Sequence, residues 1–266
     1  MLICVCVKAV PATTEVRMDP ATNTIVRDGV ESVVNPFDTA GLELALAIKD
    51  ERACAGLPTE VVLLSMGVPA TEHLLRDCIS RGADRGILLS DRAFAGADTL
   101  ATSYALTCGI ATLSAMPDLV VCGKMAVDGD TAQIGPELAG AFGIPCITDV
   151  RELIACDGTC LQARCVTDRG VATVEVPLPA VITVAKDAAQ LRMPSIAGVR
   201  WGEEATVEVL GAADVGADPA RIGLAGSPTQ VVRSFVPERS QQAERIEGSA
   251  AEQAATLLAR FEEMGL

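Results

Sequence analysis

Four segments of this 266-residue sequence place lysine, asparagine, aspartate or threonine beside glycine or proline, shortly after an apolar run. They are residues 8–11, 35–38, 94–99 and 123–133. In an open parallel sheet, ligands bind beyond the carboxyl ends of the strands, where such loops lead into helices. The free amides of a helix N-terminus suit phosphate groups. The four segments are therefore candidates for a nucleotide site.

The same residues also fit a plain structural role. Asp98 suits the N-cap of a helix, and Asp130 with Gln133 has the spacing of a capping box. An aspartate that caps a helix competes with a phosphate for the same amides. A nucleotide would then use neighbouring groups, with the carboxylates turned toward ribose or backbone. Those neighbouring groups are Thr99, Thr131 and Lys124.

Acid–base and metal chemistry have little support in the sequence. His73 is the only histidine, which excludes sites with two or three histidines, and it falls within a helical pattern. Asp128 and Asp130 alone make a poor cation site, and the cysteines at 156–165 match no common metal spacing. We expect no metal and no catalytic side chain. A bound cofactor would carry any chemistry.

The composition of the chain argues against two classes of function, nucleic-acid binding and membrane association. Lysine and arginine total 21 against 35 aspartate and glutamate, a net charge of −14. Such a surface repels nucleic acid and anionic lipid, and aromatic residues make up only 3% of the chain. The first eight residues lack the basic start of a signal peptide, and the ten cysteines form no Cys-x-x-Cys pair. We expect a soluble cytoplasmic protein that neither binds nucleic acid nor inserts into membranes.

Apolar runs alternate with helical patterns over the first 150 residues. Strands are predicted at 2–7, 61–65, 86–89 and 119–122, and helices at 37–52, 69–81, 98–115 and 131–142. Asn35 and Pro36 suit the N-cap and first position of the first helix, and a hairpin is predicted at 16–27. This rhythm predicts an α/β fold, an open and mostly parallel Rossmann-like sheet with helices on both faces.

The pattern changes beyond residue 144. Strand-like runs at 147–154, 161–167, 171–176 and 180–184 are predicted to extend the sheet with antiparallel strands. From 186 to 248 every short apolar run is interrupted, which predicts an arm rather than a second core. Ser249 and Glu252 then form a capping box for a final helix. We predict a nucleotide-binding domain at 1–185 and a C-terminal arm at 186–266.

Several motifs resemble those of the electron transfer flavoprotein beta subunit. They are residues 5–8, 35–38, 82–85, 123–135, 193–196 and 226–232. The similarity covers nearly the whole chain, and the run at 128–135 is highly specific. It implies an adenine-nucleotide alpha-hydrolase-like domain and a heterodimer with a larger alpha subunit that carries its own FAD. The arm would embrace that subunit.

The family divides by the nucleotide in the beta subunit. Ordinary members hold a structural AMP and shuttle electrons from acyl-CoA-type dehydrogenases, whereas electron-bifurcating members hold a second FAD. Residues 128–133 depart from the ordinary pattern, and 94–99 resemble the loop that accommodates FAD. Bifurcation implies electrons from NADH, one passing to ferredoxin or flavodoxin and the other through the alpha FAD to a dehydrogenase or quinone reductase. The alternative is the ordinary carrier with a structural AMP. A third hypothesis, a stand-alone nucleotide sensor, has less support because the arm would then have no partner to cover.

The resemblance also implies individual site residues. Cofactor contacts are expected from Cys6, Ala9, Asn35, Pro36, Phe37, Asp38, Met66, Asp98, Thr99, Thr102, Asp128, Gly129, Asp130, Thr131, Ala132, Gln133, Ile134 and Gly135. Met193 is expected to contact the partner dehydrogenase. Many relatives follow that position with a lysine-rich run, which residues 200–204 replace here with Arg-Trp-Gly-Glu-Glu.

Overall fold

The structure, a computed structural model, describes residues 1–12, 31–232 and 245–265. The hairpin predicted at 16–27 lies outside them. The strands are β1 (Leu2–Cys6), β2 (Ala9–Pro11), β3 (Ser32–Val34), β4 (Glu60–Met66), β5 (Arg85–Leu89), β6 (Leu119–Gly123), β7 (Cys146–Cys156), β8 (Cys160–Thr167), β9 (Gly170–Pro177), β10 (Ala180–Val184) and β11 (Val207–Leu210). The α-helices are α1 (Pro36–Cys54), α2 (Glu72–Ser80), α3 (Thr99–Ala111), α4 (Ile134–Phe142), α5 (Ile196–Glu204) and α6 (Ala250–Glu263).

Nine of these strands form one sheet in the order β11-β5-β4-β1-β6-β10-β7-β8-β9. The ladders from β11 to β7 are parallel, and only β8 and β9 run antiparallel to their neighbours. The short strands β2 and β3 pair separately, on either side of the segment that is not described. The predicted fold class, an open and mostly parallel α/β sheet, is confirmed.

One part of the strand prediction is wrong. Strands β7 and β10 were expected to be antiparallel, but β10 lies between β6 and β7 and is parallel to both. Strand β7 is antiparallel only to β8. Val181 pairs with Val120 of β6 on one side and with Cys146 of β7 on the other. Every residue of β10 is buried. A fully apolar run specifies burial on both faces but carries no information about strand direction.

The sheet is covered on both faces, as the continuous apolar run of β1 predicts. Ile3 and Val5 contribute to a core that includes residues of α1 and α2. Cys4 and Cys6, which point to the opposite face, contribute to a core that includes residues of α3 and α4. Successive side chains of a strand alternate between faces, so one strand of five buried residues supports both cores.

Residues 186–231 contain regular elements that the sequence pattern missed. Helix α5 packs through glycines, because a Cβ at Gly198 would lie 2.2 Å from the carbonyl oxygen of Ser80 in α2. Strand β11 pairs with β5 at the edge of the sheet. One compact unit runs from Met1 to Val231.

The second compact unit comprises Val232–Leu266. Its helix α6 begins with the predicted capping box, in which Ser249 accepts from the Glu252 amide and the Glu252 carboxylate accepts from the Ser249 amide. Its apolar residues Leu257, Leu258 and Phe261 are exposed. Among the helices of the described residues, none combines the length and the hydropathy needed to cross a bilayer.

Candidate nucleotide site

The strand order places a crevice at the carboxyl ends of β1 and β6. From β1 the sheet grows through β4 and β5 in one direction and through β6 and β10 in the other. The helix that follows β1 contributes to one core and the helix that follows β6 to the opposite core. Loops that diverge in this way open a ligand-binding crevice. The predicted segments 8–11, 35–38 and 123–133 all lie at this edge of the sheet.

Asn35 joins the two sides of the crevice. Its side-chain amide donates to the carbonyl of Met125 at 2.9 Å and to the Asp38 carboxylate at 3.0 Å. Its side-chain oxygen accepts from the amide of Val127 at 3.2 Å. Asn35 occupies the predicted N-cap position of α1 but makes no side-chain cap hydrogen bond. The side chain is committed to the loop after β6 instead.

Asp38 forms a second, buried connection between the same loops. Its carboxylate accepts from the backbone amides of Lys8 at 2.7 Å and Gly123 at 3.1 Å, as well as from Asn35. Burial raises the pKa of Asp38 to about 7, although these hydrogen bonds act in the opposite direction. A Cβ at Gly123 would lie 2.2 Å from the Asp38 carboxylate, so glycine is required there.

Lys8 and Asp128 form a third connection between the loops after β1 and β6. The Lys8 ammonium lies 2.6 Å from the Asp128 carboxylate, whose side chain is largely buried. This ion pair neutralises one of the two carboxylates considered above for a cation. Across the described residues, no three histidine, cysteine, aspartate or glutamate side chains are grouped to hold a metal ion.

The loop before α4 departs from the predicted capping box. Helix α4 begins at Ile134, three residues later than predicted, and Gln133 makes no side-chain cap hydrogen bond. Asp130 and Ala132 have φ angles of +54° and +55°, which a right-handed helix excludes. The capping box of Asp130 and Gln133 is therefore wrong. Left-handed conformations cost roughly 1–3 kcal/mol each in non-glycine residues and are typical of binding loops.

This strained loop presents unpaired amides around an open position. In the part of the chain that the structure describes, the amides of residues 131–133 have no hydrogen-bond acceptor. A Cβ at Gly129 would meet nothing nearer than the Lys8 ammonium at 4.0 Å. Successive amides in alternating backbone conformations form concavities for anions. The residues present thus fit the phosphate of a nucleotide.

The loop after β5 reaches the same site. Asp98 caps α3 as predicted, accepting from the Ala101 amide at 3.1 Å. The hydroxyl of Thr99 donates to the side-chain oxygen of Gln133 at 3.0 Å. Thr102 lies in the first turn of α3, and its amide donates to the Asp98 carbonyl. Segments 94–99 and 123–133 are therefore in direct contact.

Other predicted contacts lie beneath the loops or beside them. Cys6 is buried at the end of β1, and Met66 ends β4 at the same edge of the sheet. Gly135 packs against β10, because a Cβ there would lie 2.2 Å from a methyl group of Thr183. Ile134 packs partly buried against the core of α3 and α4.

Sequence reasoning missed Asp149. Lys124, considered above as a phosphate ligand, lies 2.9 Å from the Asp149 carboxylate, and Arg151 lies 3.1 Å from its other oxygen. Asp149 has a φ of +53° at an irregularity between β7 and β10, and its amide donates to Thr183. Asp149 falls within an apolar strand pattern. The sequence signal for its ion pairs is therefore only that an acidic residue stands at a strand position expected to be buried.

Met193 lies on a separate, rigidly held surface. Its side chain is 83% exposed. The preceding Arg192 lies 2.8 Å from Glu43 and 2.7 Å from Asp50, both on α1. Ser195 caps α5 by accepting from the Gly198 amide. The exposed methionine therefore projects from a segment that is fixed on both sides.

Known proteins resemble the chain along nearly its whole length. The family model described as electron transfer flavoprotein domain matches residues 22–215. The chain is 41% identical over 264 residues to the caffeyl-CoA reductase-Etf complex subunit CarD of Acetobacterium woodii, covering 99% of this chain and 98% of that protein. It is 44% identical over 242 residues to an electron transfer flavoprotein subunit beta of Megasphaera elsdenii, covering 89% and 88%. Protein FixA of Azorhizobium caulinodans is 39% identical over 268 residues, covering 98% and 94%.

Proposed function

Because this chain belongs to the electron transfer flavoprotein family as a beta subunit, we propose that it holds an FAD and takes part in electron bifurcation with an alpha subunit. NADH is the electron donor in this proposal. One electron goes to ferredoxin or flavodoxin and the other, through the FAD of the alpha subunit, to a dehydrogenase or quinone reductase. FAD would supply two-electron acceptance and one-electron release.

The observation that carries the proposal is the distance along the sheet edge over which the candidate site extends. The three amides without partners lie in the loop after β6, whereas residues 94–99 follow β5, three strand positions away. Three strand spacings amount to about 14 Å. A mononucleotide occupies one side of such a crevice, and a dinucleotide extends across it. The strand ends that bear the two loops therefore span more than a mononucleotide needs, which favours FAD over AMP. The contact between Thr99 and Gln133 lets one ligand touch both loops.

In this proposal the residues of the chain bind and orient the cofactor. The amides of residues 131–133 receive phosphate, and Gly129 leaves space for it. Asn35 and Asp38 hold the loops after β1 and β6 at a fixed separation, and Lys8 holds Asp128 out of the phosphate position. Met66, Thr99 and Thr102 would flank the remainder of the nucleotide.

The partner contacts of the proposal follow from exposed apolar side chains. Met193 is directed to the dehydrogenase or quinone reductase, with Arg192 fixing its direction. CarD is named as part of a complex with a reductase, which supports docking of this kind. The arm would bind the alpha subunit through the exposed side chains of α6. We place the complex in the cytoplasm, where the ten free thiols would stay reduced.

Replacing Gly129 with valine tests the proposal. The position is open, so the folded chain has room for the new side chain, but the side chain then occupies the phosphate position. We expect unfolding in urea within about 0.5 kcal/mol of wild type, as for ordinary surface changes. The co-purified heterodimer should keep the alpha FAD but lose the second nucleotide. Under anaerobic conditions NADH should bleach wild-type flavin and leave this variant oxidised.

Gly140→Val is the matched control. Gly140 is also open, in α4, but lies away from the loop before that helix. This control should keep both nucleotides and its reduction by NADH. The proposal is contradicted if Gly129→Val is reduced by NADH as fast as wild type.

A further inference from the structure

Both carboxylate oxygens of Asp98 accept hydrogen bonds from groups within the chain. One carboxylate oxygen accepts from the Ala101 amide at 3.1 Å. The other accepts from the Thr229 amide at 3.0 Å and from the Thr229 hydroxyl at 2.8 Å. The Asp98 amide in turn donates to the Ser227 hydroxyl at 2.8 Å. Asp98 therefore does more than cap α3, because it also fastens a segment 131 residues further along the chain.

The segment that Asp98 fastens, residues 223–229, is called the latch segment here. It fits against the loop after β5 at positions where only glycine is possible. Gly223 has a φ of +55°, and a Cβ there would lie 2.2 Å from the Ala93 carbonyl oxygen. The Leu224 amide donates to the Ala95 carbonyl at 3.0 Å, and Gly96 lies directly against Leu224. The latch segment thus contacts the loop after β5 at several points between residues 93 and 98.

Preceding residues hold the latch segment in place from a second direction. The Asp218 amide donates to the Tyr104 hydroxyl at 3.0 Å, and the Arg221 guanidinium lies 3.8 Å from the centre of the Tyr104 ring. The Ala212 amide donates to the Asp91 carboxylate at 3.1 Å. These contacts attach the stretch after β11 to α3 and to the loop after β5. The Asp98–Thr229 contact is the last of them before the compact unit ends at Val231.

The same contact borders the candidate nucleotide site. Thr99, next to Asp98, donates to Gln133 in the loop with the unpaired amides. Thr229 is therefore linked to Gln133 by the hydrogen bonds to Asp98 and from Thr99 and by the peptide bond that joins Asp98 to Thr99. Such a network transmits a change in position when its elements are rigid, as the capped N-terminus of α3 is.

We propose that Asp98 is a positioning residue that, through Thr229, sets the loop at 94–99 for the part of a dinucleotide that extends beyond a mononucleotide. This inference rests on the proposed function and deepens it. The loop lies at β5, two strand positions from β1, so AMP at the β1–β6 crevice depends on it less than FAD does. Losing the latch should therefore separate FAD retention from AMP affinity, a separation that general destabilisation would not produce.

Three variants test the proposal. Thr229→Val removes the hydroxyl donor, Thr229→Ser retains it, and Asp98→Asn retains an acceptor for the Ala101 amide while turning a donor toward the Thr229 amide. Thr107→Val is the control, because its hydroxyl donates to the Ser103 carbonyl within α3 and touches neither loop. Amide exchange of residues 94–101 and 223–232 is measured on the full chain alone. Each variant is also measured in the heterodimer, loaded separately with FAD or AMP.

We expect Thr229→Val and Asp98→Asn to raise exchange in both segments about fivefold, as for the loss of one partly exposed hydrogen bond. The FAD bound to this chain should dissociate from these heterodimers about fivefold faster. The Kd for AMP should change less than about twofold. Thr229→Ser and Thr107→Val should match wild type. Unchanged amide exchange in both segments would show that the Asp98–Thr229 contact does not hold the latch segment. Equal effects on FAD dissociation and AMP affinity would show that Asp98 does not position the loop for FAD. A wild-type heterodimer that binds neither nucleotide refutes the proposed function and the positioning role together, while the exchange data still decide the latch.

Discussion

Replacing Asn35 with alanine is expected to destabilise the chain by about 3 kcal/mol and to release the bound nucleotide. The asparagine is 1% exposed and makes three hydrogen bonds, two of them to Met125 and Val127 in the loop after β6. Each lost hydrogen bond costs roughly 1 kcal/mol, and buried partners left unpaired add to that. Urea unfolding of the chain and nucleotide content of the purified heterodimer measure the two effects.

Thr39→Ala is the control for this prediction. Thr39 lies one turn into the same helix, and its hydroxyl donates only to the Pro36 carbonyl, at 2.8 Å. We expect a loss below about 1 kcal/mol and full nucleotide content, because this bond is local and partly exposed. If Asn35→Ala behaved like Thr39→Ala, the two loops would not depend on Asn35 for their separation.

Asp38→Asn is expected to remove a pH dependence of stability. Burial raises the pKa of Asp38 to about 7, whereas its value in the unfolded chain is about 3.8. Between these values the folded chain binds a proton that the unfolded chain does not, so the free energy of unfolding falls as pH rises. The contribution falls by about 1.4 kcal/mol per pH unit between roughly pH 4.5 and 6.5. Asparagine does not titrate, so the variant lacks this slope.

The measurement is urea unfolding of wild type and variant at several pH values, and the quantity of interest is their difference in stability. That difference should shrink or reverse as pH rises, by about 4 kcal/mol over the full range between the two pKa values. Thr39→Ala keeps the carboxyl and should follow the wild-type slope. A difference that stayed constant, or grew with pH, would show that the carboxyl is not held protonated by burial.

Helix caps and buried strands could be predicted from the sequence where one short segment determines them. Asp98 caps α3 and Ser249 begins α6 with a capping box, as their sequence contexts indicate. The run Leu2–Cys6 is a strand buried on both faces, as a continuous apolar segment predicts. In each case the interaction lies within a few residues of the sequence. Such signals do not depend on the rest of the fold.

The errors have a common origin in contacts that are distant in sequence. Strand β11 is four residues long with one buried position, and it pairs with a strand more than 100 residues earlier. Asp130 was expected to begin a helix, but it adopts a left-handed conformation that no local pattern specifies. Asn35 has an N-cap position but bonds to residues 90 and 92 positions away. Tertiary contacts override local preference at these positions.

The same distinction applies to the site. The glycine, asparagine and aspartate residues of segments 35–38 and 123–133 could be chosen as candidates from the sequence because their types are unusual after apolar strands. The ion pair of Lys124 with Asp149 and the bond from Thr229 to Asp98 could not be identified in that way. Their partners lie in different segments, and only the strand order brings them together.

The nucleotide content of the wild-type alpha–beta heterodimer tests the central claim most directly. The co-purified complex is denatured, and the released nucleotides are separated and counted by chromatography. We predict two FAD and no AMP per heterodimer. One FAD with one AMP would contradict the claim that this chain holds an FAD, and would leave it as the structural half of an ordinary electron carrier.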